Sequence, residues 1–441
     1  MSIDPTGNEF AREPVPGHIG ISGWRIALIK IGVLIALPAF IMGAELGFKL
    51  GFERSLIAFF SGAVILFILG TGTSTIGARA RLSTSMLIQF VFGRLGAQAV
   101  SAVLAATLTG WFAVTAELFG QSLDQMAGDI LGIHAGSSAY IMFGCLLMVL
   151  TTIYGIRGLQ RVADLVVPLL LFGLATIAYL GFKTASPGAF TVLPSDPVSI
   201  GVGISAVVGS MAAGTTILPD VTRFARSPGH GRLAAFLTLA VGIPLVLGLV
   251  AVPSVATGEG NLIKIMVMLG LGGPALLLLV FTAWTTNSGN LYSSSLMMGT
   301  VTQRVRQKTL VIAIGIIGMA LALGGITTYL IPVLLLVGFS VPPIAAVYIA
   351  DFYIVRRGVI DMESWKYVPP LRIPALVAWA SGIAVAVATT NGVFTLTTIP
   401  AGDSILTALT LYVAFYVVGW AQSEIPKSSR SESPEIAVGG E

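Results

Sequence analysis

The stretch FTAWTTNSGNLYSSS, Phe281–Ser295, opens inside an apolar run and then presents Thr282, Thr285, Thr286, Asn287, Asn290, Ser293 and Ser294 in close succession. At helical spacing Thr282, Thr285, Thr286, Gly289 and Ser293 share one face, a stripe of hydroxyls over accessible backbone. Hard cations such as Na⁺ take uncharged or anionic oxygen, so the stripe reads as an ion seat. A serine/threonine seam joining two membrane helices would give the same pattern. The surrounding chain decides between the two.

Composition settles the class. Hydrophobic residues make up 55% of the 441 and charged residues 10%, against roughly a quarter charged in soluble domains. With a mean hydropathy of +0.92, the chain reads as an all-α polytopic membrane protein. The net charge of +4 is no argument for nucleic acid, because the basic residues fall in loops of one parity. Cys145 is the single cysteine and lies in an apolar segment, so there is no disulfide framework. His18, His134 and His230 fall in the tail or in loops, and the spans hold no clustered His, Cys or paired carboxylates. Neither a membrane enzyme nor a resident cofactor is expected. The N-terminal tail, with Asp4, Glu9 and Glu13, lacks the pattern of a signal peptide, so the first apolar segment is expected to be a retained span.

About twelve apolar segments have spanning length. They lie near 26–50, 56–78, 97–122, 136–154, 162–182, 199–220, 232–254, 271–298, 309–326, 328–353, 373–390 and 404–421. The expected organisation is a tail over 1–24, a core of ten spans over 25–353, a loop and two further spans over 354–421, and a tail over 422–441. With the N-terminus inside, the outer loops hold only Arg54, Lys183 and Lys264, while Lys30 and Lys49 lie within the first span. Every other lysine and arginine of the 24 falls inside. That bias predicts a multi-pass protein of the cell membrane with both termini cytoplasmic.

Internal symmetry comes next. Thr109-Gly110-Trp111 in the third span nearly repeats as Thr282-Ala283-Trp284 in the eighth. The same offset carries Pro38, in the first span, onto Met211 within GSMAAGTT, Gly209–Thr216, in the sixth, and Pro219 follows. Proline removes an amide donor and glycine lets a helix unwind. Spans one and six are therefore both expected to be interrupted, five spans apart, and an odd repeat length inverts the second copy. Discontinuous helices at matching points of inverted halves point to the binding site of a secondary transporter. A channel would show repeated pore-lining polarity instead.

The chain resembles the nucleobase:cation symporter-1 family, and within it the bacterial cytosine permeases. The matching pieces are Gly110-Trp111-Phe112; Val208-Gly209-Ser210 with Thr216, Asp220, Arg223 and Phe224; Trp284-Thr285-Thr286-Asn287 with Leu291-Tyr292; and Pro342-Pro343 with Ile349-Ala350-Asp351-Phe352 and Arg356-Arg357. The resemblance runs from about Gly32 to Arg357. It implies a leucine-transporter-like fold, a 5+5 inverted repeat plus two C-terminal helices, with alternating access around a midplane site. It also assigns a Na⁺ shell to the hydroxyls of Thr285 and Thr286 and the carbonyls of Thr282, Ala36 and Ala39. Trp111 would stack on a planar substrate, and Gly209 and Ser210 would offer backbone groups to its edge.

The departures bear on the substrate. Where cytosine permeases carry an aromatic residue in span six, this chain has Met211, and a hydrogen-bonding serine two residues later is Ala213. The family's glutamine ahead of the tryptophan is Leu108, and its span-eight asparagine is Thr282, expected here to face the substrate. The edge-reading set is largely replaced while the ion set is kept. Thr107, Thr109, Thr115, Thr215 and Asn290 are the candidate replacement contacts. Met211 can still pack on a ring through its polarisable sulfur.

Charges near the membrane read mostly as structural. Glu45 and Lys49 stand at i and i+4 as a pair at the end of span one, with a gate as the alternative. Glu117 reads as a buried hydrogen-bonded carboxyl or a proton site. Arg161 with Asp164, and Asp220 with Arg223, read as interfacial pairs at helix ends or as an inner gate. Trp24, Trp365 and Trp420 read as interface anchors. The expected function is import of a nucleobase-like planar heterocycle by symport with Na⁺, H⁺ being the alternative ion. A hydantoin, allantoin or vitamin-like ring is the alternative substrate; a passive channel or a membrane enzyme is a more distant alternative. The expected partners are that small solute and the lipid bilayer, with no nucleic acid.

Overall fold

In the computed structural model the first apolar segment is two helices. The structure describes residues 10–420 apart from 11–12, 134, 193, 195–199, 261, 303, 330–339 and 398. Helix α1, Gly23–Leu34, starts on Ser22, whose Oγ accepts the Arg25 amide, and ends as the Ile35 amide bonds the Ile31 carbonyl at 2.8 Å. Ala36 is extended at φ −130° and ψ 153°, and α2, Leu37–Leu50, then restarts with a proline in its first turn. Proline there sacrifices no hydrogen bond, because first-turn amides have no helical partner.

The chain continues as α3 (Phe52–Ala80), α4 (Thr84–Phe92), α5 (Arg94–Leu131), α6 (Ser137–Thr152), α7 (Gly155–Thr184), α8 (Ile200–Thr216) and α9 (Pro219–Thr222). Next come α10 (Pro228–Ala235), a π-helical stretch Phe236–Gly242, α11 (Ile243–Thr257), α12 (Leu262–Met268), α13 (Gly272–Val301) and α14 (Gln307–Leu323). Three further helices, α15 (Pro342–Ala350), α16 (Ile373–Thr390) and α17 (Pro400–Val417), complete the described chain. Seven helical stretches among the described residues are individually long and apolar enough to cross a membrane. The α1–α2 pair, α6, α13, α14 and the helix through Pro342–Val355 supply the remaining apolar segments. Large apolar side chains such as Phe60, Ile68, Phe172 and Tyr179 point outward, as lipid contact demands and water would penalise.

The packing carries the inverted symmetry. Span two (α3) packs along span six (α8), and its counterpart, span seven (α11), packs along span one (α2). Spans three and eight, α5 and α13, which are each other's counterparts, form the most extensive helix pair.

Several expectations require correction. The helix α8 runs unbroken through Gly209–Thr216, and the interruption falls at Ile217–Leu218, just ahead of Pro219. Proline's clash and its missing amide act at its own position, whereas the glycines alone leave a helix intact where its neighbours support it. The presumed loop between spans two and three contains α4, whose nine residues are all buried. The short helix α12 between spans seven and eight was likewise not foreseen. Residues 330–339 of the expected tenth span (328–353) and the tail 422–441 lie outside the described residues.

Asp220 and Arg223 are fully buried rather than interfacial. The Thr84 amide donates to Asp220 Oδ1 at 2.8 Å, and Arg223 donates to Tyr292 Oη at 3.0 Å and to the Phe10 carbonyl at 2.6 Å. Arg81, in the left-handed conformation at φ 56°, donates to the carbonyls of Val15, Pro16, Ile19 and Ala225. The segment before α1 is thereby fastened across this end of the bundle. Asp164 meets Arg25 at 4.0 Å in place of Arg161. Trp24 is exposed as an anchor would be, but Trp365 donates to Gln89 Oε1 at 3.1 Å under the Arg94 guanidinium.

A second buried cluster ties the last spans to the core. Asp351 pairs with Arg356 and with Arg372 at 2.9 Å, and accepts the Tyr412 hydroxyl at 2.6 Å. Both guanidiniums also donate to the Phe90 carbonyl in the last turn of α4. Removing one partner of a buried ion pair costs about 3–5 kcal/mol, because the other charge is left uncompensated. Asp351→Ala should therefore lower the thermal unfolding midpoint of the purified protein sharply. An unchanged midpoint would show that the cluster contributes nothing to stability.

Candidate functional site

The break after α1 leaves the carbonyls of its last turn without helical partners. Two close approaches, of α7 to Gly32 and of α13 to Val33, pack helices onto this turn. A Cβ on Gly32 would stand 2.8 Å from Val167 Cγ2 and 3.4 Å from Thr285 Cβ, and a Cβ on Gly289 would stand 2.5 Å from Val33 Cγ2. With glycine at both points, Thr285 Oγ1 donates to the Gly32 carbonyl at 2.7 Å and Thr286 Oγ1 to the Val33 carbonyl at 3.1 Å. The Thr282 carbonyl lies 3.1 Å from Thr285 Oγ1. The result is a buried group of hydroxyl and carbonyl oxygens, the donor chemistry that suits a hard monovalent cation.

Beside this group lies a cavity of about 100 Å³ between α1, α2, α5, α8, the π-helical stretch and α13. Its size fits a small ring. Val33, Leu34, Leu108, Trp111, Met211, Leu239 and Ile243 form its apolar wall. Polar groups reach it from Lys30, Thr115, Ser210, Thr215, Thr238, Thr286 and Asn290. Ser210 and Thr215 donate back to the carbonyls of Val207 and Met211 in α8, so their hydroxyls are partly committed. Among the described residues, the buried hydroxyls of Thr115 and Thr238 have no hydrogen-bond partner. Thr238 lies in the π-helical stretch, a distortion found frequently at functional sites.

Of the expected substrate residues, Leu108, Trp111, Ser210, Met211 and Ala213 line this cavity. Gly209 and Thr282 stand outside its lining. Gly209 lies inside a continuous helix rather than at a break, so the expected presentation of its backbone and that of Ser210 is corrected. Thr282, expected to face the substrate, is fully buried and stands outside this lining. The threonine pair donates to the carbonyls of Gly32 and Val33, whereas the expected Na⁺ shell names those of Ala36 and Ala39. The Ala36 carbonyl already accepts the Phe40 amide at 3.0 Å as the first bond of α2. Ala36 and Ala39 line the cavity instead.

Among the other candidates, Thr109 is held by Ser294 and the Ala105 carbonyl. Glu117 accepts from Gln121 and from Thr327, as a hydrogen-bonded structural carboxyl does. Glu45 and Lys49 form an exposed pair at 2.7 Å. Trp284 donates to Thr151 Oγ1 at 2.7 Å and so fastens α13 to α6. Lys30, Thr238 and the wall from span seven were missed. An intramembrane lysine one turn ahead of a helix break was the available signal for the first.

Comparison with known proteins bears on the whole assembly. A family profile described as permeases for cytosine/purines, uracil, thiamine and allantoin matches residues 22–419. The chain belongs to this permease family. The cytosine permease of Escherichia coli (strain K12) is 28% identical to it over 352 residues, covering 79% of this chain and 82% of that one. The hydantoin permease of Microbacterium maritypicum is 23% identical over 444 residues, covering 94% and 89%. In structure the permease is similar to Mhp1, a nucleobase-cation-symport-1 family transporter in a closed conformation with bromovinylhydantoin bound. That match has a TM-score of 0.81 and 19% identity, covering 96% of each chain. A Na⁺-coupled sialic acid symporter in an outward-open state matches with a TM-score of 0.71 and 14% identity, over 94% of this chain. The fold is therefore the inverted-repeat fold of these transporters, and the protein is a permease rather than an enzyme.

The lining makes a direct chemical prediction. Cys145, the only cysteine of the permease, is buried, so thiol labelling has little background. Ser210→Cys and Met211→Cys should react with a small methanethiosulfonate reagent, and Thr282→Cys should not. Fast labelling at position 282 would place that residue back in the cavity.

Proposed function

We propose that the permease imports a planar nitrogen heterocycle of the nucleobase type by symport with Na⁺. One observation carries this reading: Thr286 belongs to both parts of the site. Its hydroxyl meets the Val33 carbonyl at 3.1 Å, and the residue lines the cavity that contains Trp111. In this reading Na⁺ takes the oxygens of Thr285 and Thr286 with the carbonyls of Gly32, Val33 and Thr282. A bound ion draws α1 onto α13 and fixes one wall of the cavity. Substrate stacks on the Trp111 indole, with Met211 packing against the ring. Rocking of one group of helices against the other then exposes the site to the opposite side. With the lysine and arginine bias, both termini face the cytoplasm.

A hydantoin-type ring is the second reading, supported by the apolar Leu108 and Ala213 in the wall. It shares with a nucleobase the flat shape that Trp111 requires.

Two measurements test the proposal. Replacing Thr285 and Thr286 together with alanine should abolish Na⁺-stimulated uptake in proteoliposomes, and unchanged Na⁺ dependence would remove the ion assignment. Trp111→Ala should weaken ring binding by about 1–3 kcal/mol, the usual worth of a base on an aromatic platform. The folded fraction should stay the same, and undiminished affinity would rule out stacking.

A further inference from the structure

Lys30 sits in the last turns of α1, with a side chain that is 8% exposed and lines the cavity. Its Nζ donates to the Gly214 carbonyl at 3.3 Å. That carbonyl belongs to the final turn of α8, where the helix end concentrates partial negative charge. The bond is long and engages one of the three N–H donors of an ammonium. Asp220, the acid that acts on Lys30 electrostatically, lies beyond the α8–α9 break and does not line the cavity. Among the described lining residues Lys30 is the only charged one. A cavity with a fixed cation and no carboxylate in its wall favours a ligand edge that accepts hydrogen bonds.

We propose that Lys30 is a specificity-determining substrate contact, which selects heterocycles presenting ring carbonyl oxygens and disfavours those presenting an amino group at the same edge. The inference rests on the heterocycle reading above and narrows it to oxo-substituted rings. A carbonyl oxygen accepts directly from the ammonium, and hydrogen bonds to charged groups are the stronger class. An exocyclic amino group meets the same ammonium donor to donor, so it gains no hydrogen bond from the lysine in a buried site. Gly214 supports this geometry, since a Cβ there would meet nothing within 4 Å and the approach to Nζ stays open. The small wall residues Ala36 and Ala213 add no polar group that competes with the lysine.

Uracil and cytosine share one ring and differ at a single edge, carbonyl against amino, so they form a matched pair of probes. Binding of each to the purified full-length protein, in saturating Na⁺, should favour uracil by about tenfold or more. In Lys30→Met the preference should collapse to within about threefold through loss of uracil affinity. The Na⁺-induced thermal shift should persist in that variant. Wild-type protein that binds cytosine as tightly as uracil overturns the proposal without recourse to any variant. A preference that survives in Lys30→Met overturns it as well. Wild-type protein that binds no ring, hydantoin included, overturns the heterocycle reading itself, and this inference falls with it.

Discussion

The interruption of the first span at Ile35–Ala36 is the constraint on which the site depends. Inside a bilayer every backbone carbonyl needs a partner, and water is not there to supply one. Ending α1 at Leu34 frees carbonyls that the chain must satisfy from elsewhere, and Thr285 and Thr286 do so from α13. The two hydroxyls thus serve as structural donors whose bonds an ion can replace, since a hydroxyl oxygen accepts a cation once its proton turns away. Gly32 lets Val167 of α7 come close and Gly289 does the same for Val33 of α1, and a methyl at either would crowd that side chain. The cavity exists because of the same break. Ala36 and Ala39 reach its wall where the chain turns from α1 into α2.

The second interruption is solved differently, although the two halves share one fold. At the end of α8 the carbonyls of Gly214, Thr215 and Thr216 accept from Lys30 Nζ, Thr73 Oγ1 and Tyr348 Oη, which come from spans one, two and ten. By symmetry the partner of span six would be span three, the counterpart of span eight. Yet α5 offers no adjacent pair of threonines matching Thr285 and Thr286. The first break is closed by exchangeable hydroxyls, and the second by a phenol, a hydroxyl and an amine reaching in from three helices. Inverted repeats make the breaks equivalent in place, while side chains decide what closes each of them.

Much of this was legible in the residues, and the errors have specific causes. Pro38 announced the first break correctly, but the carbonyls it frees lie four residues and more before a proline, because the lost bond runs from i to i−4. That rule points to Leu34 and its predecessors, not to Ala36 and Ala39. In span six the glycines of Gly209–Thr216 suggested unwinding, yet the helix persists to Thr216 and gives way at Pro219. Glycine permits a break without requiring one. Thr282 shares its helical face with Thr285, but a face on a helix packed all round has several neighbours, and periodicity cannot say which one is the cavity. The π-helical stretch Phe236–Gly242 has no residue pattern of its own, so the contribution of Thr238 could be found only from coordinates. Lys30 was visible all along, and counting it as a stray topological charge concealed that its one-turn distance from the break carries it into the site.

Under the proposed function, these placements relocate where the substrate edge is read. The resemblance concentrated polar recognition on spans three, six and eight, at Leu108, Ala213 and Thr282, positions that here are apolar or turned away. Hydrogen-bonding capacity comes instead from Lys30 on α1, Thr115 on α5, Thr238 in the π-helical stretch and Asn290 on α13. Thr115 and Asn290 sit on the two helices that pack most extensively together, while Lys30 and Thr238 sit on the interrupted span and the distorted one. A ring held between the two sets bridges a well-braced pair of helices and two irregular ones. Binding energy is then available to shift the irregular elements relative to the braced pair, and differential contact of that kind is what a ligand needs to change a conformational equilibrium. In the proposed symport, ion and substrate act on the same element from opposite sides, because α1 gives its carbonyls to the threonine pair and its lysine to the cavity.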